Sequence, residues 1–183
     1  TQLAIFDYGE SLLVFDVRGL SGKSNMGVSN HVYFDKNSKQ KRTKSHGLQN
    51  IKDPLADRGK VDIFENFIEA VRNRKEEHLD AHVFEGHVSS GLCHLANLSY
   101  QLGEKSSFNK KNKNFGGNKG AYEYFERMQE HLKENGLKLK ETDYIVGRTL
   151  HFDGQTESII GDDEANKMLA RTYRPPYVVP NKV

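Results

Sequence analysis

Residues 85–103, EGHVSSGLCHLANLSYQLG, hold no Lys, Arg or Asp and only one Glu, at the first position, in a chain of which 28% is charged. The spacing predicts a helix. Val88, Leu92, Leu95, Ser99 and Leu102 fall on one side of it, and His87, Ser90, His94, Asn97 and Gln101 form a narrow polar stripe nearby. A surface helix normally carries Lys or Glu, so this one is expected to be buried around most of its circumference. Its stripe must then find hydrogen-bond partners or line a cavity. Two readings follow: histidines satisfied by backbone carbonyls of a sheet, or polar groups facing a ligand. A shared metal ion is disfavoured, because His87 and His94 stand about 10 Å apart along the axis. Cys93 points away from the stripe and reads as a small buried hydrophobe rather than a nucleophile.

The start of the chain follows a different period. QLAIFDY and SLLVFDVRG alternate and are separated by Gly9 and Glu10, the pattern of a two-residue hairpin turn with Gly first. Leu3, Ile5, Leu12 and Val14 share one face, and Ala4, Phe6, Leu13 and Phe15 the other. With both faces apolar, the pair is expected to lie inside a sheet covered on both sides. HVYFD at 31–35 reads as a third strand, and the basic stretch after it as a solvated loop.

From Phe64 onward apolar residues return at helical spacing (Phe64, Phe67, Ile68, Val71), with Asp62 available as N-cap. A third helix is expected over AYEYFERMQEHLKENG, stopped by Gly136. Between the second and third helices, residues 105–120 are rich in Lys, Asn, Ser and Gly and read as a mobile connector. Two strands flank Asp153 and Gly154. Asp162 or Asp163 then caps a short helix that ends before Pro175 and Pro176. Strand pair, helices and strand pair together indicate one α+β domain over 1–183, a mostly antiparallel or mixed sheet with helices packed on it.

Composition narrows the function. Lys and Arg exceed Asp and Glu by only two, and the basic runs carry almost no interleaved aromatics, so nucleic acid is not expected as a partner. No apolar run approaches the roughly 20 residues a membrane span needs. One cysteine forms no disulfide within the chain, which leaves the compartment open.

TQLAIFDYG with the VRGL strand, FENFIEAVRNRKEEHLDAHVFEGHVSSGLCHLANLSYQLGE, AYEYFERMQEHL, GRTLHFDGQTESIIGDDEAN and RTYRPPYVVP together resemble the C-terminal domain of Gfo/Idh/MocA oxidoreductases, in a bacterial branch. Residues 85–103 and 171–180 are the most specific parts, and residues about 22–55 do not match. The resemblance implies a parent enzyme whose N-terminal Rossmann domain binds NAD or NADP. The C-terminal sheet would cover the nicotinamide and form much of the pocket for a sugar, polyol or related hydroxylated compound. It also implies a homo-oligomer through the sheet, and export in some relatives.

The family's Glu-Lys-Pro motif, its Asp/His motif and a G-x-G-x-x-G turn are not found here, so the chain alone is expected to bind no cofactor and to turn nothing over. Residue 1 is Thr, directly before a strand pattern, which suggests a piece of a longer chain. The candidate substrate-facing residues are His87, Ser90, His94 and Asn97, with Arg148 and His151 from GRTLHFD as secondary ones. For Arg148 and His151 the competing reading is a surface residue or a cross-strand ion pair. Arg174 is expected to clamp the C-terminus onto the domain. The alternative function is a sheet-mediated assembly or carbohydrate-binding module without chemistry.

Overall fold

Alternation over QLAIFD and LLVFDV gives the hairpin of β1 (Gln2–Asp7) and β2 (Leu12–Val17), antiparallel with Ile5 opposite Val14. Gly9 supplies the positive φ of 81° that the tight turn requires, and its N–H donates to Asp7 Oδ1 at 2.8 Å. The computed structural model describes residues 1–21, 62–108 and 112–179; the expected strand at 31–35 and the basic loop after it lie outside them. The chain divides into two compact units, one of residues 1–21 and 90–183 and one of residues 22–89.

The larger unit is built on α3 (Lys119–Glu134). Asn118 caps its start by accepting the Ala121 N–H, and Gly136 ends it at φ 82°. Phe125, Met128 and Leu132 of α3 and Leu139 form a buried cluster, against which Leu3 of the hairpin, Phe108, Phe115, Leu137 and Tyr144 pack. Phe108 and Tyr144 stack with ring centroids 4.3 Å apart. Burial pushes the Tyr144 hydroxyl pKa up; Ser106 opposite it counters this less strongly, and the oxygen has no hydrogen-bond partner of good geometry.

One face of the hairpin, with Leu3 and Leu12, thus meets α3. The other face is open among the described residues: Leu13, Phe15 and Val17 are exposed. Among the described residues the hairpin is therefore a two-stranded ribbon covered on one face, not the centre of a doubly covered sheet.

The remaining strands also pair in twos. β3 (Glu104–Ser107) runs antiparallel to β4 (Asp143–Val146), and β5 (Phe152–Asp153) to β6 (Ser158–Ile159). The fold is α+β with antiparallel pairing, as the sequence indicates, but its described strands form three separate ribbons. Residues 105–120 were expected as a connector; they begin in β3, and Phe108 and Phe115 belong to the core. Cross-strand pairing decides this, since EKSS has no strand pattern of its own.

A second small core joins Leu98 of α2 (Val83–Gln101), Ile159 and Ala165 of α4 (Asp163–Met168). Asn166 secures it. Its Oδ1 accepts the Ile159 N–H at 2.8 Å while its Nδ2 donates to the Ile159 carbonyl at 2.6 Å.

In the smaller unit, Asp62 caps α1 (Ile63–Asn73) through the Phe64 N–H. The apolar residues Phe64, Phe67, Ile68 and Val71 lie on this helix as expected but are exposed; the buried positions are Asn66 and Ala70. Asn66 explains the inversion. Its Nδ2 donates to the His78 carbonyl at 2.8 Å and its Oδ1 accepts the Asp80 N–H at 3.0 Å, so the returning connector lies over the Asn66 side.

Candidate functional site

α2 forms where the sequence predicts a helix, but its surroundings differ from the expectation. Leu98 is its only buried residue, and His87, Ser90, His94, Asn97 and Cys93 are all exposed. Cys93 is therefore not a buried hydrophobe. The helix is not enclosed around most of its circumference, because within the larger unit it is held from one side and near one end.

That hold is made largely of backbone. Arg148 N–H donates to the Ser99 carbonyl at 2.9 Å, and Ser99 Oγ donates to the Arg148 carbonyl at 2.8 Å. Two glycines allow the close approach. A Cβ on Gly103 would lie 2.5 Å from the Val146 carbonyl oxygen and 2.8 Å from Ile145 Cγ2, and one on Gly147 would run into Ser99 Oγ. Ser99 falls on the apolar side of the helical wheel, so its residue type in that position was the available signal of this contact.

The candidate residues separate once placed. Ser90, His94 and Asn97 follow one another at i, i+4 and i+7 on the exposed face of α2 in the larger unit, while His87 belongs to the smaller unit. Arg148 does not join them. Its Nη1 contacts Glu164 Oε2 at 2.8 Å and Asp162 Oδ2 at 3.2 Å, so the guanidinium serves an ion pair at the start of α4. Glu164 and then Asp162 raise the Arg148 pKa. The Ala165 N–H above all, with help from Arg148, holds the Asp162 carboxyl below the usual carboxylate range. Asp162 is the N-cap of α4, one of the two caps the sequence offers.

His151 is exposed, and its carbonyl accepts the Ile160 N–H at 2.7 Å beside the β5–β6 ribbon. Asp153 begins the turn of that ribbon. The Gln155 N–H first, and then the Thr156 hydroxyl, lower its carboxyl pKa. In the tail, Arg174 stacks over the Tyr177 ring at 5.9 Å and pairs with it through the backbone. Residues 171–179 are exposed, so among the described residues Arg174 makes a local contact and is not seen to clamp this part of the tail onto the domain.

Chemically, Ser90, His94 and Asn97 offer hydrogen-bond donors and acceptors, with no Lys, Arg, Asp or Glu on the same stripe, and such a row can meet hydroxyl groups. Among the described residues no group of three His, Cys, Asp or Glu side chains could hold a metal ion. All described strand pairs are antiparallel, so these residues contain no βαβ cradle of the kind that binds a dinucleotide. No described helix is long and apolar enough to cross a membrane. No protein-family model matches the chain, and no curated protein or solved structure matches it.

Proposed function

We propose that the chain is the substrate-side domain of an NAD(P)-dependent oxidoreductase that transfers a hydride to or from a sugar, polyol or related hydroxylated compound, and that it is not catalytic alone. The observation that carries this reading is the uncharged, exposed row Ser90, His94 and Asn97 on a helix anchored from its other side. The resemblance of residues 85–103 and 171–180 to the C-terminal domain of Gfo/Idh/MocA oxidoreductases supplies the chemical class. NAD or NADP belongs, in this proposal, to a Rossmann domain elsewhere in the parent, as the resemblance implies.

The test is the native coding sequence upstream of Thr1. An in-frame G-x-G-x-x-G and Glu-Lys-Pro would support the proposal, and kinetics on the full-length protein would follow. A start codon at or just before Thr1 would sink it. In the full-length enzyme, His94→Ala should raise KM or lower kcat with little change in Tm, because the side chain is exposed. A large drop in Tm with unchanged kinetics would assign His94 to structure.

The apolar residues Leu13, Phe15 and Val17 that the hairpin leaves exposed among the described residues favour a second reading as an assembly or carbohydrate-binding module. Thermal-shift screening against sugars and polyols, together with the mass of the particle in solution, separates this reading from the first.

A further inference from the structure

The first turn of α2 is closed by a histidine. The His82 carbonyl accepts the Gly86 N–H at 3.2 Å, which makes His82 the residue that opens the helix. Its ring Nδ1 accepts the Phe84 N–H at 3.1 Å, the bond that a Ser, Asp or Asn side chain makes at an ordinary N-cap. Its other nitrogen, Nε2, stands 2.6 Å from Glu76 Oε1 on the short 3-10 turn Glu76–His78. Only one form of the ring satisfies both contacts: neutral, with the proton on Nε2 and the lone pair on Nδ1.

We infer that His82 is a proton-sensitive helix cap that holds the first turn of α2 when neutral and releases it when protonated. The imidazolium has no lone pair, so it cannot accept from Phe84. Its charge is also unfavourable at the positive end of a helix dipole. The contact with Glu76 survives protonation and is strengthened by it, so the ring has a second resting place when the cap is lost.

The groups around His82 bear on the sign. Glu76 is in direct contact with the ring through Nε2. Asp80 from the connector, and Glu85 and His87 from α2 itself, line the same shallow depression. Arg74 and Lys75 lie further back, at the α1 end of the connector. The first turn of α2 carries Val83 and Phe84, both largely exposed, so opening it loosens an apolar surface.

The experiment is the amide protection factor of Phe84 in the whole chain, followed by NMR from pH 8 to pH 5 after correction for intrinsic exchange. Wild type should lose about fivefold in protection on acidification, the fold-change of a typical cap loss. His82→Asn, a cap that does not titrate, should keep its protection across the range. Glu76→Gln should move the loss to lower pH. A flat wild-type profile overturns the inference, and so does an unchanged loss in His82→Asn, which would assign the effect to His78 or His87.

Discussion

Asn166→Asp is an almost isosteric change with a pH signature. The native amide makes two bonds to the Ile159 backbone, accepting from its N–H at 2.8 Å and donating to its carbonyl at 2.6 Å. A carboxylate keeps the first and replaces the second with two acceptors facing each other. Losing the bond costs about 1 kcal/mol, and leaving the carbonyl without a donor costs about 1–3 kcal/mol more. The expected loss at pH 7.5 is thus about 2–4 kcal/mol.

Protonation returns an O–H donor to that position. The introduced carboxyl should therefore have a folded-state pKa above its unfolded value of about 3.9. A raised folded pKa means that its stabilising contribution is present below the unfolded value and is lost as pH rises through the folded one. The deficit relative to wild type should shrink on going from pH 7.5 to 4.5. Asn166→Ala removes both bonds and should show a deficit that does not change with pH. Urea denaturation of the three proteins at both pH values measures this, and exchange at the Ile159 amide reports the local effect. A deficit below about 0.5 kcal/mol at pH 7.5, the size of an ordinary surface change, would refute the clamp. Equal deficits at the two pH values would refute the role of the donor.

Gly103→Ala should destabilise by about 1–3 kcal/mol through overpacking against the Val146 carbonyl and Ile145; a neutral result in thermal unfolding would mean that α2 and β4 are not in close contact. His131→Leu should raise stability by about 1 kcal/mol, since the buried ring leaves Nε2 without a partner, and a lower urea midpoint would show that the ring makes a contact worth more than that. The depressed carboxyl of Asp162 contributes stability that is present above the unfolded carboxylate value of about 4 and lost as pH falls through its lower folded value. Exchange at the Ala165 amide should accordingly rise below about pH 4 relative to its intrinsic rate, and should stay level in Asp162→Ser, whose hydroxyl also caps but does not titrate.

Local structure was legible in the sequence wherever one residue type decides it. Gly9 marked the hairpin, Asp62 and Asp162 marked helix starts, and Gly136 marked a helix end. Burial was not legible to the same degree. The periodic apolar face of α1 predicts a core, yet Asn66 turned the connector onto the opposite side, because an amide that mimics a strand edge can outbid a hydrophobic stripe for a returning chain. β3 was hidden for a related reason: its ladder comes from β4, almost 40 positions later, and EKSS carries no propensity that foretells it. At the candidate site, the stripe on α2 was legible as a stripe. The alternative for Arg148 was a cross-strand ion pair; its partners Asp162 and Glu164 instead lie at the start of α4, because spacing of 14 and 16 residues says nothing about which carboxylates will be near.

The way α2 is held bears on what its exposed face can do. A helix fixed by a broad apolar side would lose stability with most substitutions, and function could not be told apart from folding. In the larger unit, α2 is fixed by Leu98, by the paired bonds between Ser99 and Arg148, and by the close approach at Gly103 and Gly147. Ser90, His94 and Asn97 are not among these anchors and lie exposed. Lysine at any of the three should therefore leave urea stability within about 0.5 kcal/mol of wild type, while it places a charged, four-carbon arm where a hydroxylated ligand or a partner domain would lie. Measured side by side, Ser90→Lys, His94→Lys and Asn97→Lys should keep the fold and, in the full-length protein, lower kcat/KM by far more than Lys substitutions on α3 at exposed Glu123 or Glu126. Comparable effects at the two helices would mean that the uncharged face is not where the chain meets its ligand, and the absence of charge on it would then have to come from packing in the assembled protein.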